Sequence, residues 1–171
     1  MDTPSLKVRS MPRIYIASGM QNWSMIRELY ETVRGRGVEI TYDWTPWAEE
    51  LSSGGELRPD NELCNIAIDE ICGVLFADAV LAVMPGGVGT HFEMSTAWNN
   101  FVPVVIALNG HKTNFHCLPR MERYEKTDDA LHHAIELAWE VHDLKKFQPP
   151  ENVSAPVRIA SRLVGQTVPQ I

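Results

Sequence analysis

The sequence predicts an α/β domain: a doubly wound parallel sheet of about five strands, with helices on both faces in three α/β/α layers. Short apolar segments alternate along the chain with segments that carry apolar residues at helical spacing. Such alternation calls for crossover connections and therefore for a parallel sheet. The segment DAVLAVM, residues 78–84, is apolar almost throughout, as expected of a strand buried on both faces.

The length of 171 residues suits one domain. We predict that this domain spans residues 13–146, after a leader over residues 1–12 that shows no periodicity. Residues 147–171 carry four of the eleven prolines. They are predicted to form an extension that lies on the surface or reaches a partner subunit.

The composition excludes several functional classes. With a formal net charge of -7, the chain is not expected to bind nucleic acid or an anionic membrane broadly. Three cysteines, an odd count without C-x-x-C spacing, and the absence of a signal peptide predict a cytoplasmic protein without a zinc site.

The first strand is predicted over residues 13–17, RIYIA, because β-branched and aromatic residues lead into a Ser-Gly turn. A helix follows, with apolar residues at helical spacing at Trp23, Ile26, Tyr30 and Val33. Residues 38–44, VEITYDW, predict the second strand. Two prolines, a Gly-Gly pair and two serines in residues 45–59 then predict a long loop with room for one turn of helix.

A second helix is predicted over residues 61–76, capped by Asp60. Its expected apolar face consists of Leu63, Ile66, Ala67, Ile71, Val74 and Leu75. After the third strand and a glycine-rich turn, a helix from Thr90 to about Asn100 precedes a fourth strand, VPVVIAL, at residues 102–108. A short element over residues 121–124 and a helix from Thr127 or Asp128 through Val141 complete the domain.

Three segments should meet at the carboxyl ends of the strands, where ligands bind in such sheets. They are residues 18–20, 43–44 and 85–90. The glycine turn lets the backbone approach a ligand closely, and the N–H groups that open the next helix attract an anion or a sugar oxygen. The predicted binding residues are Ser18, Gly19, Asp43, Trp44, Gly86, Gly87, Gly89 and Thr90.

Glu93 is the candidate for the chemistry. Its spacing from Thr90 also fits a capping box, in which the carboxylate would only bind the backbone N–H of Thr90. Beside a sugar held by the glycine turn, the same carboxylate could attack the anomeric carbon and form a glycosyl ester. The Tyr15 hydroxyl could reach this carboxylate, although packing in the core explains Tyr15 equally well.

A second acid would assist the leaving group, and Asp69, Glu70 and Asp43 are the candidates. Each is also explained as a solvated surface charge. Trp44 and Trp47 could stack on a nucleobase, with simple packing as the alternative.

These residues resemble the nucleoside 2-deoxyribosyltransferase superfamily, together with its relatives that hydrolyse the N-glycosidic bond of nucleoside 5'-monophosphates. The similarity covers about residues 13–108 and, more loosely, the last helix. It rests on RIYIASG, DEICGVLFADAVLAV and GVGTHFEMSTAW, and GTHFE is close to the motif expected in a CMP-type N-glycosidase. The resemblance implies a flavodoxin-like (Rossmann-like) fold, Glu93 as nucleophile and Tyr15 as the tyrosine that orients it.

The family's acid aligns with Glu70, where an aspartate is usual, so either Glu70 or the adjacent Asp69 could take that role. Transferases that act on free nucleosides resemble one another in an aspartate six residues before the nucleophile, where this chain has Gly87. Without that charge, a 5'-phosphate has room at the helix N-terminus. The hydrolases use a nearby serine, for which Ser18 or Thr90 would have to serve.

The expected activity is therefore hydrolysis of a (deoxy)nucleoside 5'-monophosphate, without a cofactor or metal, and the runner-up is base exchange on a free 2'-deoxynucleoside. PGGVGTHFE also resembles the motif of cytokinin-activating phosphoribohydrolases, although the preceding helix lacks that family's arginine-lysine pair. An NAD-cleaving domain or a nucleotide sensor with this fold is a further alternative. Relatives are commonly dimers or larger, so the resemblance implies a homo-oligomer.

Overall fold

The computed structural model describes residues 11–146, so the predicted extension and residues 1–10 of the predicted leader lie outside it. Five parallel strands form one sheet in the order β2-β1-β3-β4-β5. This order is that of a flavodoxin-like, doubly wound fold. The strands are β1 (Arg13–Ser18), β2 (Glu39–Ile40), β3 (Ala79–Val83), β4 (Val104–Ala107) and β5 (Met121–Tyr124).

Helices connect the first four strands, a 3-10 turn lies between β4 and β5, and a helix follows the last strand. The helices are α1 (Trp23–Gly35), α2 (Thr45–Ser52), α3 (Asp60–Phe76), α4 (Val88–Asn99) and α5 (Thr127–Lys146), with 3-10 turns at Met20–Asn22 and Asn114–Cys117. The predicted apolar face of α1 is confirmed, since Ile26, Tyr30 and Val33 are buried. None of the helices within residues 11–146 is both long and apolar enough to cross a membrane.

The centre of the sheet brings the ends of β1 and β3 together. The two strands pair in register from Ile14 opposite Ala79 to Ser18 opposite Val83. Every residue of β3 is buried, as its composition predicts. Because parallel strands end at the same edge, the loops after Ser18 and Val83 lie side by side, and this edge carries the candidate site.

The secondary structure of residues 38–59 differs from the prediction. Strand β2 has only two residues, where seven were predicted, and residues 45–52 of the predicted loop form helix α2. Pro46 lies in the first turn of this helix, where a proline without an N–H is tolerated. A proline that usually signals a loop therefore marks a helix start here.

Helix α3 buries less apolar surface than predicted. Its buried residues are Gly73 and Val74, whereas Ala67 and Leu75, two members of the predicted apolar face, are exposed. The helix packs against α4 and makes fewer contacts with β1. Its composition is apolar on more than one side, so helical spacing alone could not identify the inward face.

Candidate active site

A cavity of about 270 Å³ opens at the carboxyl edge of the sheet. Its walls come from the loops after β1 and β3, from helices α2 and α3, and from the start of α4. The lining residues are Ser18, Gly19, Met20, Trp44, Trp47, Glu70, Gly87, Val88, Gly89, Thr90 and Glu93. The three segments that the sequence predicts at this edge thus contribute to one cavity.

Glu93 and Tyr15 form the buried pair at the centre of this site. The Tyr15 hydroxyl, from the middle of β1, donates a hydrogen bond to the Glu93 carboxylate on α4. Tyr15 is fully buried and Glu93 is 7% exposed. The predicted contact is confirmed, and the tyrosine holds the carboxylate in one orientation at the cavity wall.

Glu93 does not cap its helix. Helix α4 begins at Val88, two residues before the predicted start, and Gly87 is its N-cap. The Thr90 hydroxyl accepts the Gly87 backbone N–H at 3.2 Å, so Thr90 does the capping. The capping-box alternative for Glu93 is therefore wrong, because its carboxylate binds Tyr15 and lines the cavity.

Burial controls the protonation of this pair. It raises the pKa of Glu93 to about 8; the Tyr15 hydrogen bond opposes this rise, and the charge of Glu70 adds to it. Burial and the neighbouring Glu93 charge raise the pKa of Tyr15 far above its ordinary value. Tyr15 therefore keeps its proton and acts as a donor, whereas Glu93 titrates near neutral pH.

Glu93→Gln is expected to stabilise the protein more at high pH than at low pH. Below the unfolded pKa of roughly 4.3, Glu93 is protonated in both states. As the pH rises from there to about 8, Glu93 ionises in the unfolded state before it ionises in the folded state, so the folded state loses stability. Glutamine does not ionise, so the variant does not lose this stability. Thermal unfolding should show a gain in Tm several degrees larger near pH 8.5 than near pH 5. An equal gain at both pH values would contradict this ionisation of Glu93.

Gly73 makes room for the tyrosine. A Cβ atom at this position would lie 2.9 Å from Cδ2 of Tyr15 and 2.9 Å from Cβ of Tyr42. Helix α3 can therefore approach β1 only because residue 73 has no side chain. The same close approach brings Glu70, one turn earlier on α3, to the cavity.

Glu70, and not Asp69, is the second acid of the site. Glu70 is half-buried and lines the cavity, whereas Asp69 is exposed and lies outside it. Burial raises the pKa of Glu70. The sequence places the two acids 100° apart on the helix and could not show which of them lines the cavity. A carboxyl group with a raised pKa can hold a proton for a leaving group.

The glycine turn contributes Gly87, Gly89 and Thr90 to the cavity, but not Gly86. A Cβ atom at Gly86 would lie 2.6 Å from Cγ2 of Thr90, so this glycine lets Thr90 pack against the turn. Gly86 therefore lies beside the cavity lining and not in it. The backbone N–H groups that open α4 lie at the cavity, where they favour an anion.

Two asparagines that sequence reasoning did not identify hold this turn in place. Asn22 donates to the Pro85 carbonyl oxygen at 3.0 Å, and Asn109 donates to the Met84 carbonyl oxygen at 2.9 Å. Their partners are 63 and 25 residues away in the chain, so no local pattern could have revealed them. Val88, which is 90% exposed at the cavity rim, lies in the predicted segment 85–90 but was not among the predicted binding residues.

Ser18 lines the cavity, but its hydroxyl is engaged within the protein. It donates to the Val83 carbonyl oxygen at 2.8 Å and accepts a hydrogen bond from Asn22 at 2.9 Å. These bonds join the loops after β1 and β3. Thr90 accepts the Gly87 N–H with its hydroxyl oxygen and keeps its own O–H able to donate. Of the two predicted hydroxyls, Thr90 is thus the better placed donor to an anion.

Asp43 contacts the first residue of helix α2, Thr45. Its carboxylate accepts hydrogen bonds from the backbone N–H of Thr45 at 3.0 Å and from the Thr45 hydroxyl at 2.6 Å. Asp43 does not line the cavity. Trp44 does line it, and its indole N–H donates to the Ile16 carbonyl oxygen at 2.8 Å. Asp43 and Trp44 together fix the start of α2.

Residues 11–146 contain no group of three or more His, Cys, Asp or Glu side chains that could hold a metal ion. The chemistry available at the cavity is that of two carboxyl groups with raised pKa, a tyrosine hydroxyl and the N-terminus of α4. Such a set can supply a nucleophile, an acid and an anion site.

Comparisons with known proteins bear on the fold. No protein-family model matches the chain, and a search of curated proteins found no significantly similar sequence. Among solved structures, the chain is similar to BlsM, whose solution structure matches with a TM-score of 0.54 and 18% sequence identity. The match covers 83% of this chain and 98% of BlsM. At this identity the similarity shows that the two chains share a fold.

Proposed function

We propose that this protein cleaves the N-glycosidic bond of a (deoxy)nucleoside 5'-monophosphate and releases the free base. One observation carries the proposal: a buried carboxylate, Glu93, is oriented by Tyr15 in the wall of a cavity that also includes a helix N-terminus. A carboxylate next to an anion site repels the bound anion. Such an arrangement is expected where the carboxylate takes part in the reaction. Attack on an anomeric carbon is a role that fits.

In the proposed reaction, the ionised Glu93 carboxylate attacks C1' of the sugar. The C1'–N bond breaks, its electron pair goes to the base, and Glu70 supplies a proton to the departing base. The sugar then remains as an ester on Glu93. Glu70, now ionised, takes a proton from water as the water attacks C1', which releases the sugar phosphate and restores both groups.

The 5'-phosphate is assigned to the turn that opens α4. Val88 and Gly89 offer backbone N–H groups there, and Thr90 offers its hydroxyl. Gly87 lines the same wall without a charge that would repel the phosphate. These features favour a nucleotide over a free nucleoside as substrate.

Incubation with a panel of ribo- and deoxyribonucleoside 5'-monophosphates tests this function. Chromatography should show release of free base from at least one nucleotide, at a rate that exceeds that from the corresponding nucleoside. A second base added to the mixture distinguishes hydrolysis from transfer, since a transferase would form a new nucleoside. Release of nicotinamide from NAD, or binding of a nucleotide without any product, would contradict the proposal and favour those alternatives.

We also propose that a second copy of the chain covers the apolar surface beside the cavity. Large apolar side chains are exposed on the two packed helices α3 and α4, at Ile68, Leu75, Phe76, Val88 and Phe92. Exposed large apolar side chains concentrated on two packed helices are typical of an interface. Val88 also lines the cavity, so such an interface would adjoin the substrate.

A cytoplasmic location is proposed as well. Cys64, Cys72 and Cys117 are free thiols, and two of them are exposed. Exposed free thiols are typical of proteins that work in a reducing compartment.

A further inference from the structure

The side chain of His91 contacts the turn that opens α4. Its ring nitrogen Nδ1 lies 2.9 Å from the Gly87 carbonyl oxygen, and its backbone N–H donates to the same oxygen at 3.2 Å. Because a carbonyl oxygen can only accept hydrogen bonds, Nδ1 carries a proton and donates it. Gly87 lines the cavity and His91 does not. His91 therefore binds a residue of the cavity wall without being part of that wall.

The peptide between Gly87 and Val88 connects this contact to the cavity. The peptide is trans, so its C=O and its N–H point in opposite directions. The C=O points into helix α4, where it accepts both bonds from His91, and the Val88 N–H therefore points out of the N-terminus of the helix. Val88 lines the cavity. A donor bound to the carbonyl oxygen also polarises the peptide, which makes its N–H a stronger donor.

The two peptides that flank Gly87 are each bound by one side chain of α4. The Thr90 hydroxyl accepts the Gly87 N–H at 3.2 Å, which fixes the peptide before Gly87. The ring of His91 fixes the peptide after it. Gly87 has no side chain of its own, and a Cβ atom added to it would have no neighbour within 4 Å. The orientation of the Val88 N–H thus depends on the hydrogen bonds at the Gly87 carbonyl oxygen.

A second histidine keeps the ring of His91 in place. The rings of His91 and His116 stack, with their centroids 5.6 Å apart and an angle of 12° between their planes. His116 is fully buried, and its Nδ1 accepts the Thr113 backbone N–H at 3.2 Å. Because a ring that is stacked on a buried partner cannot rotate freely, Nδ1 of His91 stays directed at Gly87.

We propose that His91 is a positioning residue for the 5'-phosphate. Its ring N–H holds the peptide between Gly87 and Val88 so that the Val88 N–H is directed at a phosphate oxygen. The inference rests on the proposed function, which assigns the phosphate to this turn. His91 contacts neither the phosphate nor the bond that breaks. It therefore affects how tightly a nucleotide binds and has little effect on how fast the bound nucleotide reacts.

His91→Leu tests the inference by removing the ring donor. We expect KM for the best nucleotide of the panel to rise about 3- to 10-fold and kcat to change less than about twofold. The reason is that the lost hydrogen bond supports the phosphate equally in the substrate complex and in the transition state. An unchanged KM, or a fall in kcat without a rise in KM, would overturn the inference.

His91→Asn should restore most of the binding, because an asparagine amide can donate to the carbonyl oxygen four residues earlier in a helix. Asn100 at the end of α4 makes this contact with the Thr96 carbonyl oxygen at 2.8 Å. We expect KM of His91→Asn to lie within about twofold of the wild type. If KM rose equally in the asparagine and leucine variants, the hydrogen bond to Gly87 would not be the cause, and the inference would be wrong.

The matched control is His132→Leu. His132 is exposed on α5 and does not line the cavity. This variant makes the same chemical change away from the site, so its KM and kcat should equal those of the wild type. Thermal unfolding of all three variants shows that each is folded before its kinetics are compared.

A binding measurement separates this inference from the proposed reaction. Glu93→Gln cannot form the ester, so calorimetry can measure Kd of the nucleotide in this variant and in the double variant with His91→Leu. We expect Kd to be about 3- to 10-fold higher in the double variant. In Glu93→Gln the nucleotide should also shift the NMR signal of the Val88 amide downfield, and in the double variant this shift should be smaller.

The outcomes of this measurement differ for the two proposals. Equal Kd values in the two proteins would overturn the role of His91, whether or not the wild type releases base. A higher Kd in the double variant, together with no base release by the wild type, would support the role of His91 and contradict only the proposed reaction. A nucleotide panel that binds to neither protein would contradict both.

Discussion

Glu93→Gln is expected to lower base release from the preferred nucleotide at least about 10³-fold, with KM changed only a few-fold. Glutamine has nearly the shape of glutamate and can still accept the Tyr15 hydrogen bond, so the cavity should stay intact. The amide lacks the negative charge and the nucleophilic oxygen that attack C1' requires. Steady-state assays of purified wild type and variant, with free base quantified by chromatography, measure the effect.

Asp69→Asn is the matched control for this variant. It also converts a carboxylate to an amide, but Asp69 is exposed and lies outside the cavity. Its activity should stay within about twofold of the wild type, since exposed substitutions away from a site have small effects. If Glu93→Gln retained wild-type turnover, Glu93 would not be the nucleophile.

Tyr15→Phe and Glu70→Gln are expected to move the acid limb of the pH profile in opposite directions. Glu93 must be ionised to attack, so kcat/KM of the wild type should rise with pH to about 8 and then level off or fall. The Tyr15 hydrogen bond lowers the pKa of Glu93, so its removal should shift the rise to higher pH. The Glu70 charge raises that pKa, so its removal should shift the rise to lower pH.

Glu70→Gln should also lower kcat by about 10²- to 10⁴-fold, because the departing base loses its proton donor. Profiles of kcat/KM measured from about pH 5 to pH 10 for the three proteins provide the comparison. Shifts in the same direction for both variants would contradict the assigned interactions around Glu93.

The sequence predicts most strands and helices of the fold well because the patterns that identify them are strong and lie within short segments of the chain. The apolar strand β3, the helical spacing in α1 and the start of α5 at Thr127 all follow from neighbouring residues. Helix α2 was predicted only as one turn within a loop, because its residues, TPWAEELS, combine a proline with few apolar residues. Its start is held by the Asp43 contact with Thr45 and by the Trp44 contact with β1. Contacts of that kind become visible only after the chain folds.

The sequence could predict the parts of the candidate site that depend only on strand order and on the position of a residue in its strand or helix. Glu93 and Tyr15 fall next to each other because β1 and β3 are neighbours and α4 follows β3 directly. The choice between Asp69 and Glu70 depends on how α3 is rotated against β1, which the packing of Gly73 on Tyr15 decides. The roles of Asp43 and Gly86 likewise depend on side-chain contacts that their positions in the sequence do not reveal.

The anomeric configuration of the product tests the central claim most directly. With methanol as the acceptor in place of water, a β-nucleotide should yield a methyl glycoside phosphate whose configuration NMR can assign. Two successive displacements at C1', the first by Glu93, predict the β-anomer, with net retention. A product that is wholly the α-anomer would show that the acceptor displaces the base in one step, and Glu93 would then not form a bond to the sugar.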